Sequence, residues 1–544
     1  MLPARYLAFA LAVAAFLIGT VLTVRVGGNW WYVAATGGLL SAVGMRDLSQ
    51  DRQSIRRNYP LLAHLRFFFE TIRPEIRQYL IEDDTEEKPF SRVQRSIVYQ
   101  RAKNAVDTRP FGSQLDLYAP QFEWINHSIA PTDIASHDFR IDIGGPQCTA
   151  PHSASVFNIS AMSFGSLSAN AILALNEGAR QGGFHHDTGE GSISRYHREP
   201  GGDLVWEIGS GYFGCRERDG SFSEERFTRN ASSPQVKMIE IKLSQGAKPG
   251  HGGILPGAKV TAEIAAARGV EIGEDCVSPS RHSAFSTPIG LLQFVARLRT
   301  LSGGKPTGFK LAIGHPWEWF GIAKAMLETG ILPDFIVVDG GEGGTGAAPL
   351  EFVDHVGAPL REALMLVHNT LVGIGLRQHI RIGAGGKIIT AFDIARTLAM
   401  GADWCNSARG FMFALGCIQA QTCHTGNCPT GVATQDASRQ RALVVPDKAA
   451  RVAAFHRNTL LALKELIAAA GLQHPNELGP EHIIRRVSST DVRSLASLHV
   501  WARQGELLAG MPDHAVFKVY WDVARADSFA PPSHNLTLRG SKLQ

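Results

Sequence analysis

The chain has 544 residues, 44% hydrophobic and 19% charged, and its 54 Lys and Arg against 50 Asp and Glu leave a formal charge of +4. Ordinary apolar content with small net charge excludes an intrinsically disordered chain, and +4 spread over this length gives no electrostatic footprint for nucleic acid. The length allows about two to four domains, one of them an α/β barrel of about 250 residues.

Glycine is abundant, 56 residues without a Gly-X-Y period, which announces tight turns and close backbone approach to a ligand. The seven cysteines are few and odd in number, unlike a secreted disulfide framework. Three of them crowd one short stretch, and that asymmetry points to metal or cluster ligation in a reducing compartment.

From Tyr6 to Val24 the chain carries no charge over 19 residues, close to the length a helix needs to cross a bilayer core. After Arg25 and a Gly27-Gly28 turn, a second apolar stretch runs from Trp30 to Val43, opening with Trp30, Trp31 and Tyr32 as interface aromatics do. The two predict a transmembrane hairpin over residues 1–46. Arg5 precedes it and Arg46, Arg52, Arg56 and Arg57 follow it, so the positive-inside rule puts both ends, and the soluble body, on the cytoplasmic side of the membrane. A cleaved signal peptide followed by a core segment is the alternative.

Residues 47–150 are expected to form a helical linker or cap and a lead-in. Its first part is Arg-rich with helically spaced Leu61, Leu62, Leu65, Phe68, Phe69 and Ile72, bounded by Pro60 and Pro74. Those arginines are either a contact with anionic lipid or a solvated face. Between Ser155 and Arg409 eight β-like runs alternate with helical stretches: residues 156–160, 185–187, 238–243, 276–278, 309–313, 335–339, 379–383 and 403–407. Helices are expected at Pro288 to Leu301 and Ala391 to Met400. This is the arithmetic of a (β/α)8 barrel over residues 151–416, with an open doubly wound sheet as runner-up. A cysteine loop (417–436) and a helical extension (437–544) follow.

In such barrels the last two βα loops commonly hold a phosphate on backbone N–H groups. Here they are Gly383 to Lys387, with Gly385 and Gly386, and Ser407 to Gly410, with Arg409. They suit a phosphorylated cofactor; as plain glycine turns they would mean nothing. Gly341 to Gly346 fits G-x-G-x-x-G, but it follows the sixth strand and is interrupted by Pro349, so a barrel loop over the active site is expected in place of a dinucleotide fold. Cys417, Cys423 and Cys428 form C-x5-C-x4-C followed by Pro429. That spacing suits a three-iron cluster; zinc with His424 as fourth ligand, or unligated thiols, are the alternatives. Lys242 and Lys248, with Arg268 downstream, are either anchors for a dicarboxylate or a surface charge run.

The runs SAMSFGSLS (160–168), TGEG (188–191), IKLSQGAKPGHGGILPG (241–257), DGGEGGTGAAPL (339–350) and CIQAQTCHTGNCPTGVATQD (417–436) together resemble the FMN-binding and central region of glutamate synthases. With the hairpin in front, the chain is most similar to the stand-alone FMN-binding glutamate synthase family proteins of bacteria. The resemblance implies a (β/α)8 barrel with FMN at the strand ends and a 3Fe-4S cluster beside it. It implies that Met162, Ser163, Lys242, Gln245, Gly385, Gly386 and Ser407 lie around FMN, where Lys387 and Arg409 add charge, and that Cys417, Cys423 and Cys428 hold the cluster. It implies that Glu190, Lys248 and Arg268 face 2-oxoglutarate, so that ammonia condenses at the keto carbon to 2-iminoglutarate and reduced flavin completes L-glutamate.

The sequence departs from the family in having no glutamine-hydrolysing domain or glycine-rich β-helix, in Ile254 where the family has Gln, and in His251 where it has Glu. The expected partners are therefore 2-oxoglutarate, ammonia or an amidotransferase subunit, a ferredoxin-like or NAD(P)H-oxidising electron donor, and membrane lipid. A related oxidoreductase making an N-substituted glutamate, and a non-catalytic membrane-tethered electron-transfer subunit, are the competing functions.

Overall fold

A computed structural model describes residues 3–50, 52–86, 88–255, 257–510 and 514–530. The chain forms two compact units that divide between Val93 and Gln94.

In the first unit, helices α1 (Leu7–Val26) and α2 (Trp30–Ser49) run back along each other, joined by Gly27 and Gly28 at φ 71° and 76°. Gly19 lies against the backbone of Ala34, where a Cβ would come within 2.6 Å of its nitrogen, and Gly37 lies against Phe16 at 2.5 Å. Gly19 on the first helix and Gly37 on the second thus form the packing surface that lets the two helices approach. Among the described residues, one helix, Ala4–Val26, is long and apolar enough to cross a membrane. α2 continues past Val43 and takes in Arg46 and Asp47. Pro74, expected to bound a helix, lies inside one (Leu62–Ile76), which runs into a π-helical turn at Arg77–Ile81.

The second unit is built on a closed, all-parallel eight-stranded barrel: β1 (Phe157–Ile159), β2 (His186–Asp187), β3 (Leu204–Ile208), β4 (Val236–Lys242), β5 (Thr307–Leu311), β6 (Phe335–Asp339), β7 (Arg381–Gly385) and β8 (Trp404–Ser407). β8 closes on β1 through Cys405 against Phe157. Seven of the eight expected runs are barrel strands. The eighth, at 276–278, instead pairs antiparallel with Ile254–Leu255 outside the barrel, and the true third strand is Leu204–Ile208. Val277 is exposed, as no inner or outer face of a fully covered barrel strand would be, whereas LVWEI is buried along its whole length.

Helices Ala169–Gly182, Pro288–Leu301, Pro316–Thr329, Leu360–Gly373 and Ala391–Ala399 cover the barrel. The 25-residue helix Val445–Ala469 packs on Ala169–Gly182, where Gly178 makes room for Val452. Residues beyond 437 also supply two strands, Ile483–Arg486 and Val492–Ser494, which join Glu123–Ile125 in a small sheet. Near its end the extension holds a helix at Ala515–Tyr520. Glu123, buried at that junction, accepts from Arg361 (2.9 Å), Arg396 (3.1 Å) and Arg485 (2.6 Å), tying the lead-in and the C-terminal sheet to two barrel helices.

Candidate active site

Along each barrel strand alternate side chains point inward, and several inward positions are charged. Glu207 of β3, Glu240 of β4 and Lys310 of β5 are buried and paired: Lys310 Nζ contacts Glu207 and lies 3.2 Å from Glu240 Oε1. Asp187 of β2 joins them, its carboxylate, Glu207 and Glu240 having oxygens within 4.8 Å of one another. Burial, then the Glu207 charge, pushes Asp187 up to about 7, against the opposing pull of Lys310 and the Gly189 N–H. The sequence signal for this network was a charged residue in each of three strands otherwise buried on both faces; such a residue must point into the barrel and find a partner there.

Above it, at the carboxyl ends of the strands, lie the expected substrate residues. Lys242, the last residue of β4, places Nζ 3.1 Å from Oε1 of Glu190, in the loop after β2. Glu190 is held in a slot between two glycines: a Cβ on Gly209 would lie 2.8 Å from its Oε2, and one on Gly253 2.7 Å from its Oε1. Burial alone would raise the Glu190 carboxyl, but Lys242, then Arg268 and Lys248, outweigh it and hold the group below its usual 4.5. Lys248 is buried, which lowers its ammonium from 10.5 against the attraction of Glu190.

Arg268 is 5% exposed. Its Nη2 donates to the Phe164 carbonyl (3.2 Å), its Nη1 faces Cys276 Sγ (3.6 Å), and its guanidinium lies over the Phe213 ring at 5.2 Å. Its Nε is buried and has no partner among the described residues. Glu190, Lys242, Lys248 and Arg268 therefore come together, although Glu190 lies in the loop after β2 and the three cations lie at the end of β4 and in the connection that follows it. The Ile254 side chain lies outside the described residues. His251 is turned onto the Gly252 carbonyl at 2.6 Å, its ring edge-on to Phe352.

The expected cofactor residues form the rest of the rim. Met162 is buried, and Gly189 packs on its backbone and that of Ser163; Ser163 Oγ bonds Ser166 Oγ at 3.1 Å. Gln245 begins a turn that ends with Lys248 N–H on its carbonyl. Gly246 follows, its N–H on Asp339 Oδ2 (2.8 Å), and sits so close to the Gly340 carbonyl that a Cβ would be 1.8 Å from that oxygen. Gly385 ends β7, and after Gly386 comes Lys387 in the left-handed region at φ 51°. Ser407 ends β8, but its hydroxyl is spent on the Ile388 carbonyl (2.6 Å).

Arg409 reaches both ways, Nη2 to the Thr345 carbonyl (3.2 Å) and Nη1 toward Cys423 Sγ (3.9 Å). It therefore joins the G-x-G-x-x-G loop to the cysteine loop. Cys417 and Cys428 are buried and Cys423 half-buried, all three as free thiols. Burial raises the Cys417 thiol. In Cys428 burial is outweighed by bonds from the Ala433 N–H, the Thr430 hydroxyl and N–H, and the Val432 N–H, and the thiol is lowered. Tyr99, ahead of the barrel, donates to the Cys417 carbonyl at 2.6 Å, a support that nothing in its own sequence context signalled.

Residues 145–473 match the family described as the conserved region in glutamate synthase. The chain is 37% identical over 90% of its length to the glutamate synthase large subunit-like protein YerD of Bacillus subtilis, covering 98% of that protein. It is 36% identical over 58% of its length to the archaeal glutamate synthase [NADPH] of Methanocaldococcus jannaschii, of which it spans 58%. Among solved structures, a mandelate oxidase is similar at 13% identity, over 74% of this chain and 99% of that one, with a TM-score of 0.39. With a closed parallel barrel, a cationic strand-end cluster around Glu190 and a family match over its whole central region, the chain belongs to the glutamate synthase family of oxidoreductases.

Proposed function

We propose that this chain is a membrane-anchored, glutamate synthase-like flavoenzyme that reductively aminates 2-oxoglutarate to L-glutamate. The observation that carries the reading is the convergence of Lys242, Lys248 and Arg268 on Glu190 at the strand ends. Two lysines and an arginine fit a dicarboxylate, and the buried, unpartnered Nε of Arg268 is a donor waiting for an acceptor.

FMN fits the rim. Lys387 in the left-handed region beside Gly386 turns successive N–H groups into an anion-binding concavity, and Gly344 and Gly346 leave open space beside Arg409. Met162, Ser163, Lys242, Gln245, Gly385, Gly386, Lys387, Ser407 and Arg409 would hold it, Ser407 through its backbone because its hydroxyl is engaged. Bound FMN supplies a hydride to the imine carbon of 2-iminoglutarate. Lys248 and Arg268 hold the two carboxylates and so fix that carbon. Glu190, ionised, orients ammonia for condensation and takes up its proton, and Lys242 keeps that carboxylate in place.

A 3Fe-4S cluster fits Cys417, Cys423 and Cys428, since three thiolates with no fourth cysteine nearby suit a three-iron cluster, whereas His424 abuts Cys423 in sequence, which makes joint ligation of one zinc awkward. Electrons would come from a ferredoxin-like or NAD(P)H-oxidising subunit, and nitrogen from ammonia or an amidotransferase subunit. The α1–α2 hairpin would anchor the chain in the cytoplasmic membrane. His251, in place of the family's Glu and turned toward Phe352, favours as second reading a related enzyme making an N-substituted glutamate.

The test is absorbance of the detergent-purified protein, with iron and flavin analysis, before and after dithionite and then with 2-oxoglutarate and ammonia. Flavin bands with a broad iron–sulfur shoulder, and reoxidation with glutamate formed only when both substrates are present, support the reading. A colourless zinc protein overturns it.

A further inference from the structure

β3 pairs with β4 up to Ile208 against Ile241 and then turns away, Tyr212 N–H closing on the Gly209 carbonyl at 3.0 Å. Lys242 is one residue past that ladder, so its carbonyl faces a gap where a neighbouring strand would have donated. The gap is filled from the long excursion between β4 and β5: His282 Nε2 lies 2.8 Å from the Lys242 carbonyl oxygen. On its other side, His282 Nδ1 lies 3.1 Å from Tyr212 Oη, which itself accepts from Ala284 N–H at 3.0 Å.

A carbonyl only accepts, so Nε2 carries the proton, and Nδ1 then accepts from the Tyr212 hydroxyl. The ring is 6% exposed, stacked on Phe285 at 5.0 Å and edge-on to Tyr212 at 5.4 Å. Burial, against the smaller pull of the Lys242 carbonyl and Glu190, lowers the imidazole to about 4, so this pattern persists through the neutral range. The same excursion carries Ser278, whose N–H bonds the Gly253 carbonyl (2.8 Å), and Gly253 is one wall of the Glu190 slot.

We propose that His282 is a positioning residue: by joining the Lys242 carbonyl to the Tyr212 hydroxyl, it fixes the strand end from which the Lys242 ammonium meets Glu190 and the flavin. It touches neither substrate nor cofactor and acts through Lys242. This rests on the proposed reading of that pair as the reaction centre.

The test uses the full-length, detergent-purified protein and three variants, His282→Phe, His282→Gln and Tyr212→Phe. Two readouts are needed: kcat and KM for 2-oxoglutarate with a reduced artificial donor, and the midpoint potential of the bound FMN. Phe keeps the stacking and loses both hydrogen bonds; Gln keeps a donor for the Lys242 carbonyl. In His282→Phe we expect kcat to fall about tenfold to a hundredfold, as misplacement by a fraction of an ångström does, with KM within about threefold because Lys248 and Arg268 are untouched. The flavin potential should become more negative as the Lys242 charge is displaced. Gln should recover most of both, and Tyr212→Phe should shift both in the same direction by less.

Wild-type kcat and potential in His282→Phe, or a Gln variant as impaired as Phe, overturns the proposal, since ring packing alone would then be at work. If His282→Phe does not fold, Gln and Tyr212→Phe decide. If the wild type makes no glutamate, the proposed function fails, while the potentials still test His282.

Discussion

Lys242 Nζ and Glu190 Oε1 stand 3.1 Å apart at the top of the barrel, on loops that follow different strands. Neutralising the carboxylate in Glu190→Gln should lower kcat by about 10²- to 10⁴-fold, the usual worth of a positioned acid–base group, while the fold persists. In Lys248→Met the main effect should fall on KM for the keto acid, about tenfold to a hundredfold, from about 1.5–3 kcal/mol for a charged hydrogen bond. Glu190 is held below its ordinary 4.5, so it favours the folded state. That contribution is complete above about pH 4.5 and is lost as pH falls through the folded-state value. Acid titration of thermal stability in wild type and Glu190→Gln checks the sign: only the wild type should lose this increment.

Two glycines near this pair should respond in opposite ways to a methyl group. At Gly253 the new Cβ meets the far end of Glu190, at 2.7 Å. The carboxylate can swing away, so Gly253→Ala should change stability by less than about 1 kcal/mol and still cost activity. At Gly246 the Cβ meets the Gly340 carbonyl at 1.8 Å, and backbone must move. Gly246→Ala should lose about 1–3 kcal/mol or more, as overpacking does, visible as a lower denaturant midpoint. Equal stability of the two variants would contradict the packing described.

The difference between those glycines also shows what was legible in the sequence. Most of the seven barrel strands stood out as short, near-continuous apolar runs between turn signals; the His185–Asp187 run was weak on pattern and was placed by the count of alternating units. The third did not, since LVWEI is followed by a glycine- and aromatic-rich stretch, and the run at Cys276, which pairs with Ile254–Leu255 outside the barrel, offered a competing signal. The lysine run and the cysteine run were legible because their residues stand at short local spacings, and the structure brings Lys242 to Glu190. His282, Tyr212 and Tyr99 act through backbone carbonyls of distant residues, Lys242 and Cys417, and only tertiary structure reveals such contacts. Helix α2 was legible as an apolar stretch from Trp30 to Val43, but only the structure shows that its Gly37 is a packing contact against Phe16.

The cysteine loop makes a separate prediction. Serine at Cys417, Cys423 or Cys428 should each abolish the broad iron–sulfur absorbance and lower iron content from about three per chain. Cys215→Ser, at a buried thiol distant in sequence from the loop, should leave both unchanged. Tyr99→Phe removes the bond to the Cys417 carbonyl and should speed cluster loss in air without changing the iron content of freshly prepared protein.

In the hairpin, Gly37→Leu would drive a side chain into the Phe16 backbone, 2.5 Å from where its Cβ would sit. The helices must then separate, so the variant should melt earlier in detergent. The chain should still fractionate with membranes, because the apolar length of Ala4–Val26 is unchanged. Release into the soluble fraction would count against that helix as the anchor.

Inside the barrel, one lysine serves several carboxylates. Lys310→Met leaves Glu207 and Glu240 buried without their cation and should cost about 3–5 kcal/mol, the usual effect of breaking a buried pair from one side. Asp187 has the opposite linkage to Glu190. Its folded-state value is raised from 3.8 to about 7, so between those limits the folded protein binds a proton that the unfolded chain does not. The acid therefore costs stability progressively as pH rises from about 4 to about 7. Asp187→Asn keeps an oxygen for the Gly189 N–H, which donates at 2.9 Å, and carries no charge to bury. The variant should be more stable than wild type at pH 7 and nearly equal to it at pH 4, with a flatter slope between. Glu240, raised in the same direction by burial, leaves part of the slope in place. Denaturation at a series of pH values decides: a slope unchanged by Asp187→Asn would mean that Asp187 is ionised in the folded barrel, and the network would then hold more negative charge than one lysine balances.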